Sequence, residues 1–325
     1  MRFVVPYLFL LADTTPMTSA PQLLLDSRGT TLRLGASVAR GGEGEIFECA
    51  GRSDRLLKLF HAGNLILQKA RDAKVRAMVS LTDLRDYPRL AWPQEPVFDA
   101  HGQVTGFTMR RVSGVTLVAL TALALMKRRL PNWGPAHVCR VVHDIAAICR
   151  ELEARQVFVG DINLGNFLVN QVSAEVTAID CDSYQLTVAG QLHACRVFTP
   201  DYQSPEVLAH PERLAILGPL QFRYSCALLF FNLLTAGGHP YQIKNGRSPA
   251  ENILAGRHFL GGKGVATGCT TAAIWERYRA LPPRIMALFK RAFIAGHSQD
   301  PSARPCFEEW VGAFKHHYSE LMHAA

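Results

Sequence analysis

The chain has 325 residues, of which 48% are hydrophobic and 19% charged, and its formal net charge is +8. These values indicate a globular protein with one large domain or two lobes, and they exclude a low-complexity or intrinsically disordered chain. The basic residues are dispersed, without the stripe of interleaved aromatics that nucleic-acid binding favours, so we predict no nucleic-acid partner. A polyanionic ligand or an acidic partner would be enough to use the charge.

Cysteine usage and the N-terminal segment favour the cytoplasm. The eight cysteines form no CxxC pair and several lie in apolar runs, which is typical of reduced, buried thiols. Residues 3–12 (FVVPYLFLLA) have the size of a signal-peptide core but are too short to span a bilayer as a helix. We expect residues 1–26 to be an N-terminal extension, either a disordered or packed tail or a stretch upstream of a true start at Met17. We expect neither export nor a membrane.

The first part of the chain, residues 27–112, predicts a small lobe rich in strands. Residues 31–60 alternate and turn like β-hairpins around a glycine-rich turn at 41–44 (GGEG). A helix is predicted at 65–81, followed by strands at 89–93 and 103–109 with a turn at 99–102 between the last two. Lys58 lies inside an apolar strand, where a buried lysine needs an anionic partner; an edge-strand lysine that faces water is the alternative.

The second part, residues 113–325, predicts a larger and mainly helical lobe. Apolar residues form a helical stripe over His137–Leu152. Residues 224–236 (YSCALLFFNLLTA) are apolar nearly all round, which predicts a buried core helix too short for a membrane span. Amphipathic helices are predicted at 282–295 and 306–322. The fold class is therefore α+β.

Two short segments carry the candidate chemistry: residues 159–166 (VGDINLGN) and 178–183 (AIDCDS), each at the end of an apolar run. Asp161, Asn166 and Asp180 offer oxygen ligands that can hold Mg²⁺ or Mn²⁺ on a nucleotide triphosphate, with one carboxylate left to orient a hydroxyl. Glycines in the 41–44 turn let the backbone approach phosphates. Taken singly, these residues also suit turns and solvated strand ends.

The order of these motifs resembles the protein-kinase fold over residues 30–323. Residues 160–166, 180–183 and 91–93 are most similar to a bacterial group of kinase-like proteins often encoded beside von Willebrand A-type proteins and PP2C-type phosphatases. The resemblance implies a bilobal fold, with an antiparallel-sheet N-lobe at 27–112 and a larger helical C-lobe at 113–325. It also implies ATP with Mg²⁺ or Mn²⁺ as cofactors, a protein substrate, and those two protein classes as partners.

The resemblance assigns a role to each matching residue. Asp161 would accept the hydrogen bond of the substrate hydroxyl, Lys58 would hold the α- and β-phosphates, and Asn166 and Asp180 would bind the metal. Thr199 would hydrogen-bond Asp161. The remaining nucleotide-binding positions implied are Gly41, Gly42, Gly44, Ile46, Met109, Arg111, Val112 and Leu168.

The end of the activation segment also matches. Residues 199–206 (TPDYQSPE) resemble that segment, and Glu206 is expected to pair with a buried Arg304. Enzymes of the aminoglycoside-phosphotransferase type lack this apparatus, which argues against a small-molecule phosphotransferase.

Several positions depart from the kinase pattern. The usual His and Arg before the catalytic Asp are Val159 and Gly160, so we expect activity without phosphorylation of the activation segment. Asn163 replaces a Lys, and Phe222 replaces an Asp that braces the catalytic loop.

No Glu lies between His61 and Pro93, so the helix Glu that usually pairs with the strand Lys is missing; Asp72 or Gln68 is a possible substitute. The predicted function is an ATP-dependent Ser/Thr protein kinase in bacterial signalling. The alternatives are a pseudokinase or nucleotide-binding scaffold and, less favoured, a small-molecule phosphotransferase.

Overall fold

The computed structural model describes residues 3–4, 23–260, 271–297 and 299–323. The described residues divide into two compact units. The sheet unit contains residues 23–112 and 177–182, and the helical unit contains residues 3–4, 113–176 and the described residues from 183 onward.

In chain order the strands are β1 (Phe3–Val4), β2 (Leu24–Leu25), β3 (Thr31–Leu32), β4 (Leu34–Arg40), β5 (Gly44–Cys49), β6 (Arg52–Phe60), β7 (Pro93–Phe98), β8 (Val104–Arg110), β9 (Val115–Thr116), β10 (Phe167–Val169), β11 (Val176–Ala178), β12 (Leu186–Val188), β13 (Gln191–His193) and β14 (Val197–Phe198). The helices are α1 (Leu65–Ser80), α2 (Thr82–Arg85), α3 (Leu123–Arg129), α4 (Pro135–Ala154), α5 (Pro205–Ala209), α6 (Pro219–Leu234), α7 (Pro249–Leu254), α8 (Ala272–Arg279), α9 (Pro283–Lys290) and α10 (Phe307–His323).

The sheet unit is built on a seven-stranded sheet in the order β3-β2-β7-β8-β6-β5-β4, in which neighbouring strands run antiparallel. Successive residues of β6 face opposite sides of the sheet, as the two-residue period of a strand requires. Leu57 packs with Leu24 and Val97 on one side, whereas Leu56 packs with Phe107 on the other. β2 begins three residues before the predicted start of the lobe at residue 27, because Leu24 is buried in this core.

Helix α1 covers the second side of the sheet and confirms the helix predicted at 65–81, ending at Ser80. Its N-terminus is capped by the Asn64 side chain, which accepts a hydrogen bond from the backbone N–H of Leu67 at 2.9 Å. Val75 and Met78 are the helix residues buried toward the sheet. The carbonyl of Met78 accepts a hydrogen bond from the indole of the buried Trp92 at 2.8 Å, which ties the helix to the start of β7.

The prediction of a strand at 89–93 is wrong, because the sheet strand in this region is β7, which starts at Pro93. Leu90 instead forms an isolated parallel bridge with Ala178, and the N–H of Ala91 donates to the carbonyl of Ala178 at 2.8 Å. The apolar run at 90–92 therefore reflects tertiary burial rather than a strand of the sheet. This bridge also fixes the backbone two residues before Asp180.

The helical unit is organised around α6, which is buried nearly all round, as predicted. It starts at Pro219, five residues before the predicted Tyr224, because Gly218 and Pro219 form a favourable helix start. α4 confirms the stripe predicted at 137–152 and packs against α10. α9 continues into a π-helical turn at Arg291–Ala295. These two segments together cover the helix predicted at 282–295.

Seven cysteines lie in the described residues, and all are free thiols, with six of them buried. Within those same residues, no helix combines the length and apolar character that crossing a bilayer requires. The backbone of β1 pairs antiparallel with β14, but the rest of the segment at 1–22, including Met17, lies outside the described residues.

Candidate functional site

Lys58 lies on β6, a central strand between β5 and β8, and its side chain is 6% exposed. The alternative of an edge lysine facing water is therefore excluded. Its ammonium donates to Asp180 Oδ1 at 2.6 Å and to both carboxylate oxygens of Asp182, at 2.7 and 2.8 Å. Burial alone would lower the pKa of Lys58, but the charges and hydrogen bonds of Asp182 and Asp180 outweigh it, so the pKa is raised.

Asp180 adopts a left-handed backbone conformation, with φ of 59°. Such a conformation costs an L-residue other than glycine about 1 kcal/mol, although Asp tolerates it better than most side chains. The bridge of Ala178 to Leu90 and the ion pair to Lys58 hold this backbone in place. Strained backbone held by surrounding contacts is concentrated at functional sites.

Neither helix residue proposed as the partner of Lys58 takes that role. The Asp72 carboxylate pairs with Arg76 one turn along α1, and Gln68 has no bond to Lys58. Asp182 contacts Lys58 instead, and the sequence indicated this residue only as part of the 178–183 motif. Its position two residues after Asp180 was visible in the sequence, but its pairing across 124 residues of chain was not.

The glycine-rich turn joins β4 to β5, and the N–H of Gly41 donates to the carbonyl of Gly44 at 2.9 Å. A Cβ at Gly44 would collide with the backbone of Leu59, so packing within the sheet requires this glycine. A Cβ at Gly42 would meet nothing within 4 Å, so the tip of the turn is open. Packing therefore requires a glycine at position 44, whereas there is space for a side chain at position 42.

Glu43, in the same turn, is a charged neighbour of Lys58 that the sequence analysis did not single out. Burial raises the pKa of Glu43, repulsion from Asp182 and Asp180 adds to the effect, and attraction to Lys58 and Lys74 opposes it. The signal available in the sequence was an acidic residue between two glycines of a turn expected to face phosphates.

Three of the predicted nucleotide-binding residues lie in one apolar cluster. Ile46, Met109 and Val112 pack with Leu56, and Ile179 joins them from the segment before Asp180. In the ladder Ile46 is the direct partner of Lys58, which places the apolar cluster beside the ammonium group.

Arg111 makes contacts of its own at the end of β8. Its N–H donates to the carbonyl of Asp54 at 2.8 Å, and its guanidinium pairs with Glu48 at 2.8 Å. The backbone N–H of Arg111, predicted as a nucleotide-binding position, therefore cannot bond a nucleotide without breaking the bond to Asp54.

Asp161 and Asn166 come together in the helical unit. Asp161 is fully buried; its backbone carbonyl accepts a hydrogen bond from the Asn166 amide at 2.7 Å, and its Oδ2 accepts a longer one from the same amide at 3.3 Å. The Thr199 hydroxyl donates to Asp161 Oδ1 at 2.7 Å, which confirms the expected bond. Leu168 lies two residues beyond Asn166 on β10, where it pairs with Thr116 of β9.

Gly160 has no room for the arginine that the kinase pattern would place there. A Cβ at this position would overlap the side chain of Cys195, which is buried and donates its thiol to the carbonyl of Val197 at 3.1 Å. The amide of Gln203 donates to the carbonyl of Gly160 at 2.5 Å. The segment between residues 195 and 203 is thus attached to the loop at residues 160–161 at two points.

The remaining departures also have counterparts in the helical unit. Phe222 is buried and packs edge-on against Phe158 and Phe307, so an apolar contact stands where the pattern has a bracing carboxylate. Arg304 is fully buried and pairs with Glu206, as expected. Its other donors bond the backbone carbonyls of Gly296, His297 and Leu220 at 2.6 to 2.9 Å.

Comparison with known proteins finds similarity to proteins that are named protein kinases. The chain is 27% identical over 295 residues to the protein named protein kinase YegI of Escherichia coli K12, and 26% identical over 298 residues to that of Escherichia coli O157:H7. The alignments cover 88% and 89% of this chain. This similarity supports a kinase-like superfamily.

The chain spans 45% of the length of each of these relatives, which is less than half. No family model matches it. The mixed architecture, with an antiparallel sheet in one unit and helices in the other, is compatible with a kinase-like fold.

Proposed function

We propose that the chain is an ATP-dependent Ser/Thr protein kinase that transfers the γ-phosphoryl group to a protein hydroxyl in bacterial signalling. The observation that carries this proposal is the bond from the Thr199 hydroxyl to the buried Asp161 carboxylate. A carboxylate that accepts a bond from a threonine hydroxyl can orient a substrate hydroxyl in the same way. The similarity to the protein kinases supports the same conclusion.

The side chains fit the cofactors that this reaction needs. Bound ATP supplies the phosphoryl group and Mg²⁺ or Mn²⁺ neutralises its charge. Asn166 and Asp180 would hold the metal, and their oxygen donors suit a hard cation. Within the described ranges no three His, Cys, Asp or Glu residues form a metal cluster, so phosphate oxygens would complete the coordination. Lys58 supplies a buried positive charge suited to phosphates.

The finer organisation is part of the proposal. Residues 27–112 would form the N-lobe and residues 113–325 the C-lobe, with Asp161, Asn166 and Asp180 converging on one triphosphate. We propose a cytoplasmic location, a protein substrate, and a von Willebrand A-type protein and a PP2C-type phosphatase as partners. A phosphatase partner fits a kinase, because phosphatases act on phosphoproteins.

A pseudokinase or nucleotide-binding scaffold is the second candidate. Asn163 contributes no positive charge near the γ-phosphate position, and Glu43 brings negative charge toward Lys58. Both features would weaken phosphate binding or slow transfer, which is the outcome expected of a switch or scaffold.

The test is phosphoryl transfer by the full chain. The purified protein is incubated with labelled ATP and Mg²⁺ or Mn²⁺, alone and with a generic protein substrate. Asp161→Asn removes the charge with little change of shape, and Asp72→Asn is the matched control on the surface of α1. Transfer that is lost in Asp161→Asn and retained in the control supports the kinase. Nucleotide-dependent thermal stabilisation without transfer supports the scaffold.

A further inference from the structure

Lys58 is held by carboxylates that follow β11 and not by one on helix α1. We propose that Asp182 is the positioning residue that holds the Lys58 ammonium against the phosphates, in place of the helix glutamate that this chain lacks. The inference rests on the proposed function, because it assigns Lys58 to nucleotide phosphates.

Geometry and burial separate the two carboxylates around Lys58. Asp182 contacts the ammonium with both oxygens, at 2.7 and 2.8 Å, whereas Asp180 contacts it through Oδ1 at 2.6 Å. The Asp182 side chain is 7% exposed and that of Asp180 is 23% exposed. A two-oxygen contact in a buried position fixes the direction of the ammonium, whereas Asp180 contacts it through one oxygen and is more exposed to solvent.

Charge balance gives the two carboxylates different tasks. Under the proposed function Asp180 binds the metal, so its negative charge is shared with the cation when nucleotide is present. If Asp180 were its sole partner, the buried Lys58 ammonium would then lose much of the negative charge that balances it. Asp182 keeps an opposite charge on the lysine throughout. Glu43, in the turn between β4 and β5, is the other acidic residue near Lys58.

Helix α1 offers no alternative. Its sequence (LILQKARDAKVRAMVS) contains one acidic residue, Asp72, and that carboxylate pairs with Arg76. The carboxylate that anchors Lys58 therefore lies on the segment that also carries the proposed metal ligand Asp180, and not on helix α1. Lys58, Asp180 and the phosphates would then be positioned by one short stretch of chain.

A double-mutant cycle on the full chain tests this assignment. The variants are Lys58→Met, Asp182→Asn and both together, with Asp182→Glu as the conservative variant and Asp72→Asn as the matched control. Binding of a non-hydrolysable ATP analogue with Mg²⁺ is measured by calorimetry, and transfer is measured as kcat and KM for ATP. Unfolding of each ligand-free variant by heat checks that it is folded, and the same cycle on the melting temperature measures the pair without nucleotide.

We expect Asp182→Asn to weaken analogue binding by about tenfold or more, as loss of one partner of a buried charge pair does. The loss should be at least as large for Lys58→Met, which removes the phosphate contact itself, and the double variant should lose no more than Lys58→Met alone. KM for ATP should rise and kcat should fall, Asp182→Glu should recover part of both, and Asp72→Asn should match the wild type.

Three results would overturn the assignment. The first is losses that multiply in the double variant, because Asp182 would then act independently of Lys58. The second is wild-type binding in Asp182→Asn. The third is no analogue binding by the wild type, with no coupling in melting temperature. By contrast, a wild type that binds the analogue, shows the cycle and transfers nothing would refute the kinase function and leave the role of Asp182 standing.

Discussion

Replacing Gly160 with alanine tests whether packing excludes a side chain at the position before Asp161. Gly160 is buried, and a Cβ added to it would lie 2.8 Å from Cys195 Cβ and 3.0 Å from Leu217 Cδ1, with the Cys195 sulfur closer still. Heavy atoms in a packed core do not approach so closely. The methyl of Leu217 can rotate away, but Cys195 is 2% exposed and hydrogen-bonded to Val197, so it has little freedom to move.

The expected cost follows from overpacking of a buried site. Added methyl groups in a full core cost about 1–3 kcal/mol, and the fixed position of Cys195 places Gly160→Ala near the middle of that range, at about 2 kcal/mol. For a cooperative unit of some 200 residues, this lowers the melting temperature by roughly 4–8 °C.

Calorimetry and denaturant unfolding of four proteins measure the effect: the wild type, Gly160→Ala, Cys195→Ala and the double variant. Cys195→Ala removes the sulfur, which is the nearest atom, but leaves a Cβ still too close. The double variant should therefore be less destabilised than the sum of the single ones, by about 1 kcal/mol. Additive losses, or a cost for Gly160→Ala below about 0.5 kcal/mol, would refute the explanation that Cys195 occupies the space of the missing arginine.

Four further outcomes are expected. Glu206→Gln leaves its fully buried arginine partner without a counter-charge and should cost about 3 kcal/mol in unfolding experiments, against less than about 1 kcal/mol for Asp72→Asn in a partly exposed pair. Burial lowers the pKa of His239 to about 4, so stability should be lost as pH falls from about 6.5 to about 4, by up to about 3 kcal/mol, and His239→Gln should flatten that part of the pH–stability curve. Thr199→Val should lower kcat with little change in nucleotide affinity, and Thr199→Ser should retain activity, because the hydroxyl bond to Asp161 is what the valine lacks. Exhaustive phosphatase treatment should leave transfer intact, and a collapse of activity would contradict the expectation that the activation segment needs no phosphate.

The sequence predicted those parts of the fold that depend on local periodicity. The apolar stripes of α4 and α10 and the uniformly apolar α6 appear where they were expected, and α1 lies where a helix was predicted. The strand expected at 89–93 failed because its apolar residues are buried by a contact with Ala178, far along the chain. Periodicity in a short window does not distinguish a strand from a buried loop.

In the candidate site, too, some features could be predicted from the sequence and others could not. Asp161 and Asn166 could be chosen from the sequence because they lie five residues apart in one motif, and Thr199 because the order of the motifs is typical of kinases. The partner of Lys58 could not, since Asp180 and Asp182 lie 122 and 124 residues away from it. Asp72 was chosen because it lies on the helix where kinases have the partner of this lysine. Helical spacing relates only residues close in sequence, whereas the partners of Lys58 are distant in sequence.

The departures from the kinase pattern bear on whether the chain has lost catalysis. Loss of a helix glutamate would leave a buried lysine uncompensated, but Asp182 compensates Lys58. Loss of the arginine before Asp161 would leave a void, but Cys195 fills it. With Asp182 beside Lys58 and Cys195 beside Gly160, neither departure leaves an uncompensated charge or a cavity that would by itself preclude activity. The transfer assay on Asp161→Asn decides whether the site supports catalysis or nucleotide binding alone.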